Sequence, residues 1–406
     1  MLTMTHPALV ATLLDGPVMR RGSGSWLVDI EGNRYLDCVA GPGVHLLGHG
    51  HPAVISAIER QARELIHSSF QLNEPVIELA EELTKLAGDS FQRVFFANSG
   101  SEAIETAIKL AKKFQAARGR FGHSIAALEN GYHGRSGIAL ALTGMNIYKT
   151  GLPGFSLYPG IVHLPVPRTG EVDLDELGRQ LDARSQDDLL AVVAEPVLGV
   201  GGVIVPPDGF LRALRELCDA RGALLIFDEI FTGLGRTGTT FAFERSRVRP
   251  DILVVGKPLG AGLPVGAVLT PDDLGSCWAP VDHSTTFGGN GALVGAVGKA
   301  VLGELTAGGL ADASERAGNQ LMDALRSAAP DDVEVRGQGL LVGLEWRSSD
   351  QAMAFRRQMM ARGVLVGIGG QKRSVVRLTP PLNITSEDLK LLESTTLAVF
   401  DEVVRR

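Results

Sequence analysis

The chain has 406 residues and a formal net charge of −7, with 45% hydrophobic and 21% charged residues, as in ordinary folded proteins. This length favours two domains, and the composition excludes wholesale disorder. The basic residues are scattered, so we expect no nucleic-acid partner. Cys38, Cys218 and Cys277 have no metal-ligand spacing and predict neither a metal site nor a disulfide framework, which favours a reducing, cytoplasmic compartment.

Two apolar tracts, Leu189–Val205 and Ile252–Thr270, approach the length of a membrane span. Each is interrupted by proline, glycine and an ionisable residue, so we predict no membrane-spanning helix and no membrane partner. The first residues, MLTMTHPALV, have no basic stretch before their short apolar run, and we expect no secretory signal.

The predicted elements begin with a hairpin over Trp26–Asp37, turning at Glu31-Gly32-Asn33, and a helix over Pro52–Ile66 that starts with proline. Short apolar runs then predict strands buried on both faces: Arg93–Ala97, Ser124–Leu128, Ile161–Leu164, Leu189–Ala194, Ala223–Phe227, Ile252–Val255 and Val265–Leu269. Helical patterns such as Glu102–Arg118 separate several of these runs. The alternation predicts an α/β fold with a mainly parallel sheet covered by helices on both faces.

The segment from about Val333 onward predicts an α+β module, with two or more strands, a helix near Asp350–Arg362 and a closing helix from Ser386. We expect the N-terminal segment to complete this module. The predicted organisation is therefore an N-terminal segment that contributes to a small domain, a large domain, and a C-terminal small α+β domain, over residues 1–48, 49–300 and 301–406.

Polar residues follow the predicted strands, at the edge where open α/β sheets bind ligands. The first strand is followed by Asn98-Ser99-Gly100-Ser101, and the second is followed after a few residues by Tyr132-His133-Gly134-Arg135. Later strands are followed by Glu195-Pro196, Asp228-Glu229 and Gly256-Lys257. We therefore expect the functional site at this edge of the sheet.

Several of these residues have two interpretations. Ser99 with Glu102 fits a helix-capping box, whereas free amides and a glycine at the same helix N-terminus would suit a phosphate. Lys257 either extends from its strand end to solvent or, when desolvated, is a nucleophile able to form a Schiff base. Arg377 forms either a surface ion pair or a bidentate contact with a substrate carboxylate. Asp228 needs a cationic partner, and the sequence assigns it no arginine.

A phosphate-binding helix, a glycine-flanked lysine, a buried aspartate and an aromatic residue beside a glycine turn together suit one cofactor, pyridoxal phosphate. The motifs NSGSEAIETAIKLAK, YHGRS, AEPV, LLIFDEIFTGLGRTG, GKPLGAGLPVGAV and STTFGGN occur in this order. They resemble class III aminotransferases of the ornithine/4-aminobutyrate/acetylornithine type, which are fold-type I pyridoxal-phosphate enzymes with a large domain and a smaller α+β domain. The resemblance implies ping-pong transfer of an amino group between an amino acid or amine donor and a 2-oxo acid.

The resemblance also implies roles for individual residues. Lys257 would carry the cofactor as an internal aldimine and shuttle protons, Asp228 would pair with the pyridine nitrogen, and Tyr132 would stack on the ring. The implied cofactor-binding residues are Ser99, Gly100, Ser101, Tyr132, His133, Glu195, Asp228, Ile230, Phe231, Lys257 and Thr286. Thr286 would come from the neighbouring subunit of a homodimer with shared active sites, and Glu195 resembles a gate residue able to cover an arginine. The implied substrate-binding residues are Arg135, Thr285 and Arg377, the last through the α-carboxylate.

Two positions depart from the ornithine and 4-aminobutyrate branches of the family. Phe231 stands where the DEVQ motif of those branches has glutamine, and Leu198 stands where EPVQ has glutamine. Either both residues line the site and favour a less polar substrate, or they pack beside the cofactor and leave substrate choice to other loops.

The alternative reaction is that of a racemase or epimerase, an aminomutase or a decarboxylating transaminase of the same family, which would use the same lysine and aspartate. The alternative from another class is a cofactor-free binding protein.

Overall fold

The structure is a computed structural model that describes residues 16–152, 158, 160–170, 172–185, 188–289 and 291–404. The predicted absence of a secretory signal concerns residues outside these ranges. The strands are β1 (Met19–Ser23), β2 (Trp26–Asp29), β3 (Arg34–Asp37), β4 (Arg93–Ala97), β5 (Ser124–Leu128), β6 (Ile161–Leu164), β7 (Leu189–Ala194), β8 (Leu224–Asp228), β9 (Ile252–Gly256), β10 (Gly266–Thr270), β11 (Glu334–Gln338), β12 (Leu341–Glu345), β13 (Val364–Leu365), β14 (Gly367–Gly369) and β15 (Val375–Leu378).

The helices are α1 (Ala40–Gly43), α2 (Pro52–Glu64), α3 (Glu74–Ala87), α4 (Gly100–Ala117), α5 (Gly137–Leu142), α6 (Leu174–Ser185), α7 (Phe210–Arg221), α8 (Phe243–Ser246), α9 (Asp272–Gly275), α10 (Ala292–Ala307), α11 (Leu310–Ala328), α12 (Ser349–Ala361) and α13 (Ser386–Val404). Short 3₁₀ turns cover Asn146–Tyr148 and Lys257–Gly260. The predicted hairpin forms from β2 and β3, and the predicted helix after Pro52 is α2.

The central sheet has the strand order β4-β10-β9-β8-β7-β5-β6. Pairing is parallel from β9 through β6, whereas β10 runs antiparallel to both of its neighbours. Every residue of β5, β7, β8, β9 and β10 is buried. Helices cover both faces, because a strand buried on both faces needs apolar partners above and below the sheet. The predicted α/β fold with a mainly parallel sheet is confirmed.

Two smaller sheets combine the two ends of the chain. One has the order β1-β2-β3-β13, in which β3 pairs in parallel with β13, and the other has the order β11-β12-β15-β14. Leu36 and Cys38 share a hydrophobic cluster with Trp346 and Phe355. Helix α10 crosses the predicted domain boundary at residue 300 and contacts α2 and α3. The division into domains stays a prediction.

Within the described ranges, no single helix is long and apolar enough to cross a membrane. Helices α10 and α11 meet that criterion of length and composition only when joined across their 64° bend.

Candidate active site

The N-terminus of α4 lies directly beyond the end of β4. Ser99 is the N-cap, and its hydroxyl accepts a hydrogen bond from the Glu102 amide at 3.2 Å. The Glu102 carboxylate accepts one from the Asn98 amide at 2.8 Å, one residue before the position that a capping box uses. A Cβ on Gly100 would lie 2.9 Å from Cδ1 of Ile230. The capping role of Ser99 is confirmed, and the helix end keeps the amides and the positive dipole that favour an anion.

Ser101 joins this helix end to the segment after β5. Its hydroxyl accepts a hydrogen bond from the Arg135 amide at 3.3 Å. A Cβ on Gly134, whose φ is +134°, would overlap the Ser101 hydroxyl, so the close approach of the two segments requires glycine here. The Ser99–Ser101 segment and the YHGRS segment therefore lie side by side.

Lys257 is the first residue after β9, and its side chain points into the site rather than to bulk solvent. Its Nζ lies 4.2 Å from the centroid of the Phe231 ring. Burial lowers the pKa of the amine to about 8; the Asp228 and Glu195 carboxylates oppose this shift and Arg377 adds to it. A lysine with a lowered pKa carries more neutral, nucleophilic amine near neutral pH. The nucleophile interpretation of Lys257 is favoured over the solvent-exposed one.

Asp228 is the last residue of β8, the strand next to β9, and it is 3% exposed. Its Oδ2 lies 2.8 Å from His133 Nδ1, and its Oδ1 accepts a hydrogen bond from the Ile230 amide at 3.1 Å. The partner that the sequence left unassigned is therefore a histidine. His133 Nε2 is buried without a hydrogen-bond partner among the described residues, and it leaves one polar atom of this pair open to a ligand.

Glu195 follows β7 and is tied to backbone amides. Its Oε1 accepts from the Tyr132 amide at 2.7 Å and its Oε2 from the Gly199 amide at 3.1 Å. Burial raises the pKa of this carboxyl to about 7, and the charge of Asp228 adds to the effect. Among the described residues no carboxylate, that of Glu195 included, is within hydrogen-bonding reach of Arg377 Nε or Nη1. The implied covering of an arginine by Glu195 is not present in this structure.

Arg377 lies in the middle of β15, between glycines. It pairs with Gly343 of β12 on one side and with Gly367 of β14 on the other. A Cβ on Gly369 would lie 3.0 Å from Cδ of Arg377, so the glycines of β14 make room for the long side chain. Arg377 is 9% exposed, and its Nε and Nη1 have no hydrogen-bond partner among the described residues. A surface ion pair, one of its two interpretations, is wrong.

Tyr132, Tyr148 and Arg135 form one side of the site. The two tyrosine rings meet edge to face at 5.4 Å, and the Arg135 guanidinium lies 4.4 Å from the centroid of Tyr148 and 5.9 Å from that of Tyr132. Burial lowers the pKa of the Arg377 guanidinium, and the two tyrosines oppose this shift. The sequence did not indicate Tyr148, because an aromatic residue in a single short 3₁₀ turn carries no periodic signal.

Thr285 and Thr286 are neighbours in the chain but contact different segments. The Thr285 hydroxyl accepts hydrogen bonds from the Asn98 side-chain amide at 2.8 Å and the Gly288 amide at 3.2 Å, which places it beside the N-terminus of α4. Thr286 is exposed, and its carbonyl accepts a hydrogen bond from His67 Nε2 at 2.6 Å.

The two departures from the family pattern have different surroundings. Leu198 is fully buried in the main core, and its backbone pairs with Ile204 in both directions. Leu198 is therefore a core residue. Phe231 is 4% exposed and lies in a separate small cluster with Val197, Val203 and Leu341, next to Lys257.

Comparison with known proteins identifies the family of the chain. The profile of the family described as Aminotransferase class-III matches residues 13–398. An acetylornithine aminotransferase from Methanopyrus kandleri is 42% identical over 370 residues, which cover 91% of this chain and 90% of that protein. The solved ornithine aminotransferase from Toxoplasma gondii ME49 superposes with a TM-score of 0.89 at 32% identity, covering 98% of this chain and 93% of that one. An amine transaminase from an uncultivated Pseudomonas species, solved with pyridoxal phosphate bound, has a TM-score of 0.89 and 30% identity over 99% of both chains.

The fold and its site define a fold-type I pyridoxal-phosphate-dependent transferase. Within that class, the chain belongs to the class-III aminotransferases. The protein is therefore a transaminase that uses pyridoxal phosphate, and the predicted family, fold class, activity and cofactor are confirmed.

Proposed function

We propose that the residues around Lys257 hold pyridoxal phosphate and transfer an amino group between a carboxylate-bearing donor and a 2-oxo acid. The observation that carries the proposal is the convergence of a lysine whose pKa is lowered to about 8 with a buried aspartate on the adjacent strand. When bound, the cofactor supplies an electron sink for the carbanion formed at the donor Cα. The open Nε2 of His133 and the N-terminus of α4 support the fit of this cofactor.

Lys257 is the residue to which the cofactor is attached. Its neutral amine would form the covalent link to the cofactor with release of water, and the free amine would then move a proton at the donor Cα. A general base works best when its pKa lies near the working pH, which the lowered pKa of Lys257 supports.

Asp228 would hold a proton on the pyridine nitrogen of the cofactor, and His133 contacts the Asp228 carboxylate through its Nδ1 and so orients it. Tyr132, which contacts Tyr148 edge to face, would supply an aromatic surface for the cofactor ring. The Ile230 side chain lies against Gly100, at the N-terminus of α4. Together they orient the ring so that the donor Cα meets Lys257.

Ser99, Gly100 and Ser101, at the N-terminus of α4, would bind the phosphate through their amides and hydroxyls. Arg377 binds the α-carboxylate of the donor, since its guanidinium is buried and two of its nitrogens are open. Arg135 and Thr285 complete the substrate-binding residues. Arg135 lies against the ring of Tyr148, and Thr285 lies beside Asn98.

The reaction is tested by a half-reaction without acceptor. We expect an amino donor alone to convert the enzyme stoichiometrically to the pyridoxamine form, with loss of the visible absorbance of the lysine-linked cofactor and release of a matching amount of 2-oxo acid. A panel of α-amino acids, ω-amino acids and simple amines identifies the donor. Steady inversion of a chiral amino acid without acceptor would instead identify a racemase and contradict the proposal.

The matched variant in this experiment is Arg377→Leu. Loss of a charge-assisted contact predicts a KM for carboxylate donors that is about 10- to 100-fold higher. The rate with an amine that has no carboxylate should change little. Equal losses for both kinds of donor would show that Arg377 does not bind the carboxylate.

We propose that the active protein is a homodimer and that Thr286 reaches the phosphate of the neighbouring subunit. Thr286 lies on an exposed apolar surface made by Ile66, Phe70, Leu72 and Phe287, which are 57%, 68%, 88% and 67% exposed. A groove of about 750 Å³ between α2, α3 and α10 adjoins this surface. Exposed apolar area of this kind, continuous with a groove, supports an interface with a second copy.

Sedimentation should give a mass of twice 43.0 kDa for the wild type. We expect Leu72→Asp to weaken the dimer and the retention of cofactor together, because it places a charge in the interface. Phe121→Asp is the control, since Phe121 is 73% exposed outside this surface and its replacement should leave the dimer intact. A wild type that sediments as a monomer with full activity would contradict the proposal.

We also propose a cytoplasmic location. Its support is that Cys38, Cys218 and Cys277 are free thiols, as a reducing compartment would keep them.

A further inference from the structure

The ring of Phe231 contacts both cations of the site. Lys257 Nζ lies 4.2 Å from the ring centroid, and Arg377 Cζ lies 5.6 Å from it. Both distances are within the range of about 6 Å at which the face of an aromatic ring attracts a cation. Packing alone requires only an apolar side chain of this size, so the position of the ring between two cations calls for a separate explanation.

Two glycines fix the position of the ring. A Cβ on Gly43 would overlap Cε2 and lie 2.6 Å from Cδ2, whereas a Cβ on Gly199 would overlap Cδ1 and lie 2.8 Å from Cε1. These atoms belong to opposite edges of the ring, so one glycine closes each edge. Gly43 has a φ of +85°, a conformation that other residues rarely adopt. The ring is therefore held in a slot in which a side chain at either glycine would displace it.

The charges around the ring explain why an aromatic face is useful there. The carboxylates of Asp228 and Glu195 raise the pKa of Lys257, whereas Arg377, a like charge, lowers it. The oxygens of Glu195 are occupied by backbone amides. A benzene ring offers the negative face of its quadrupole to a cation without adding a titratable group or pairing with the arginine that must stay open for substrate.

We propose that Phe231 is a positioning residue that holds the Lys257 nitrogen and the Arg377 guanidinium against one ring and stabilises the cationic form of the Lys257 nitrogen. The proposal rests on the assignment of Lys257 and Arg377 given above. It extends that assignment, because it makes the protonation of the Lys257 nitrogen depend on an aromatic residue and on the glycines at its two edges.

The test is a pH titration of the visible absorbance of the holoenzyme, which reports the proton on the nitrogen that links Lys257 to the cofactor. Phe231→Leu and Phe231→Met keep an apolar side chain and remove the aromatic face. We expect the titration midpoint to fall by about one pKa unit in both variants, as loss of a desolvated cation–π contact predicts. Phe231→Tyr keeps the ring and should restore a midpoint near that of the wild type.

Val197→Ala is the matched control, because it removes apolar volume from the same cluster and leaves the ring near both cations in place. An unchanged midpoint in the Leu and Met variants, or an equal shift in Val197→Ala, would overturn the proposal. If neither non-aromatic variant retains cofactor, Gly43→Ala carries the test: it displaces the ring and should lower the midpoint, and an unchanged midpoint overturns the proposal. Borohydride labelling of a lysine other than Lys257 would instead refute the assignment on which the proposal rests.

Discussion

Lys257→Ala is expected to lower turnover by about a thousand-fold or more, since it removes both the attachment point of the cofactor and the group that moves the proton. The variant should also lack the visible absorbance of the lysine-linked cofactor. In the wild type, borohydride reduction followed by peptide mapping should label Lys257. The control is Lys149→Ala, because burial also lowers the pKa of Lys149 but its Nζ donates to the Ala141 carbonyl. Labelling of Lys149, or equal losses of turnover in the two variants, would refute the assignment.

The pH dependence of cofactor attachment gives a second measure of the same residue. The neutral amine is the nucleophile, and the pKa of Lys257 is lowered from 10.5 to about 8. The rate at which cofactor-free enzyme regains visible absorbance should therefore rise with pH and reach half of its maximum near pH 8. Stopped-flow absorbance over a pH series measures this, and a midpoint near that of an ordinary lysine would show that burial does not activate Lys257.

The strands of the central sheet could be predicted from the sequence because both of their faces are covered. β7 has the predicted bounds, Leu189–Ala194, and every one of its residues is buried. β8 extends one residue beyond the predicted run, to Asp228, because an apolar run ends before a carboxylate that the sheet still includes. An apolar run marks such a strand whatever its neighbours are, whereas the order of the strands depends on contacts between distant segments.

The sequence indicates the residues of the candidate site but not the contacts between them. The motifs indicate Asp228 and His133 separately, yet these residues are 95 positions apart, and nothing in either motif says that they pair. The surroundings of Arg377 are not evident from its motif either, because the glycines of β14 leave the space that its side chain occupies. Contacts of this kind depend on how elements cross in space, which local patterns do not encode.

Phe231 shows this limit most clearly. Its departure from the family pattern is visible in the sequence, but the position of its ring depends on Gly43, far upstream, and on Gly199. Neither glycine is distinguishable from the other glycines of a chain that contains 50 of them. Leu198, the second departure, is equally visible in the sequence, but it belongs to the main hydrophobic core and not to the cluster of Phe231.

A large loss of turnover is also expected when Asp228, the partner of His133, loses its charge. Asp228→Asn removes the charge that would hold a proton on the pyridine nitrogen, and a ring without that proton is a poor electron sink. We expect turnover to fall by about 100- to 1,000-fold, the range seen when one preorganised electrostatic contact is removed from an active site. The lysine-linked cofactor should still form, because Lys257 is unchanged, so the visible absorbance separates loss of catalysis from loss of binding.

His133→Phe and Glu229→Gln complete this experiment. His133→Phe leaves the Asp228 carboxylate but removes its Nδ1 contact, so turnover should fall less, by about tenfold, as loss of a hydrogen bond to a charged group predicts. Glu229 is the matched control: it is buried next to Asp228 in the chain, but its oxygens accept hydrogen bonds from the Ala242 and Phe243 amides and none from His133. Its replacement by glutamine should leave turnover of the folded, cofactor-loaded enzyme near that of the wild type. Near-normal turnover in Asp228→Asn would show that Asp228 does not hold the pyridine nitrogen. Equal losses in Asp228→Asn and Glu229→Gln would contradict the assignment too, because a general effect of removing a buried carboxylate would then account for both.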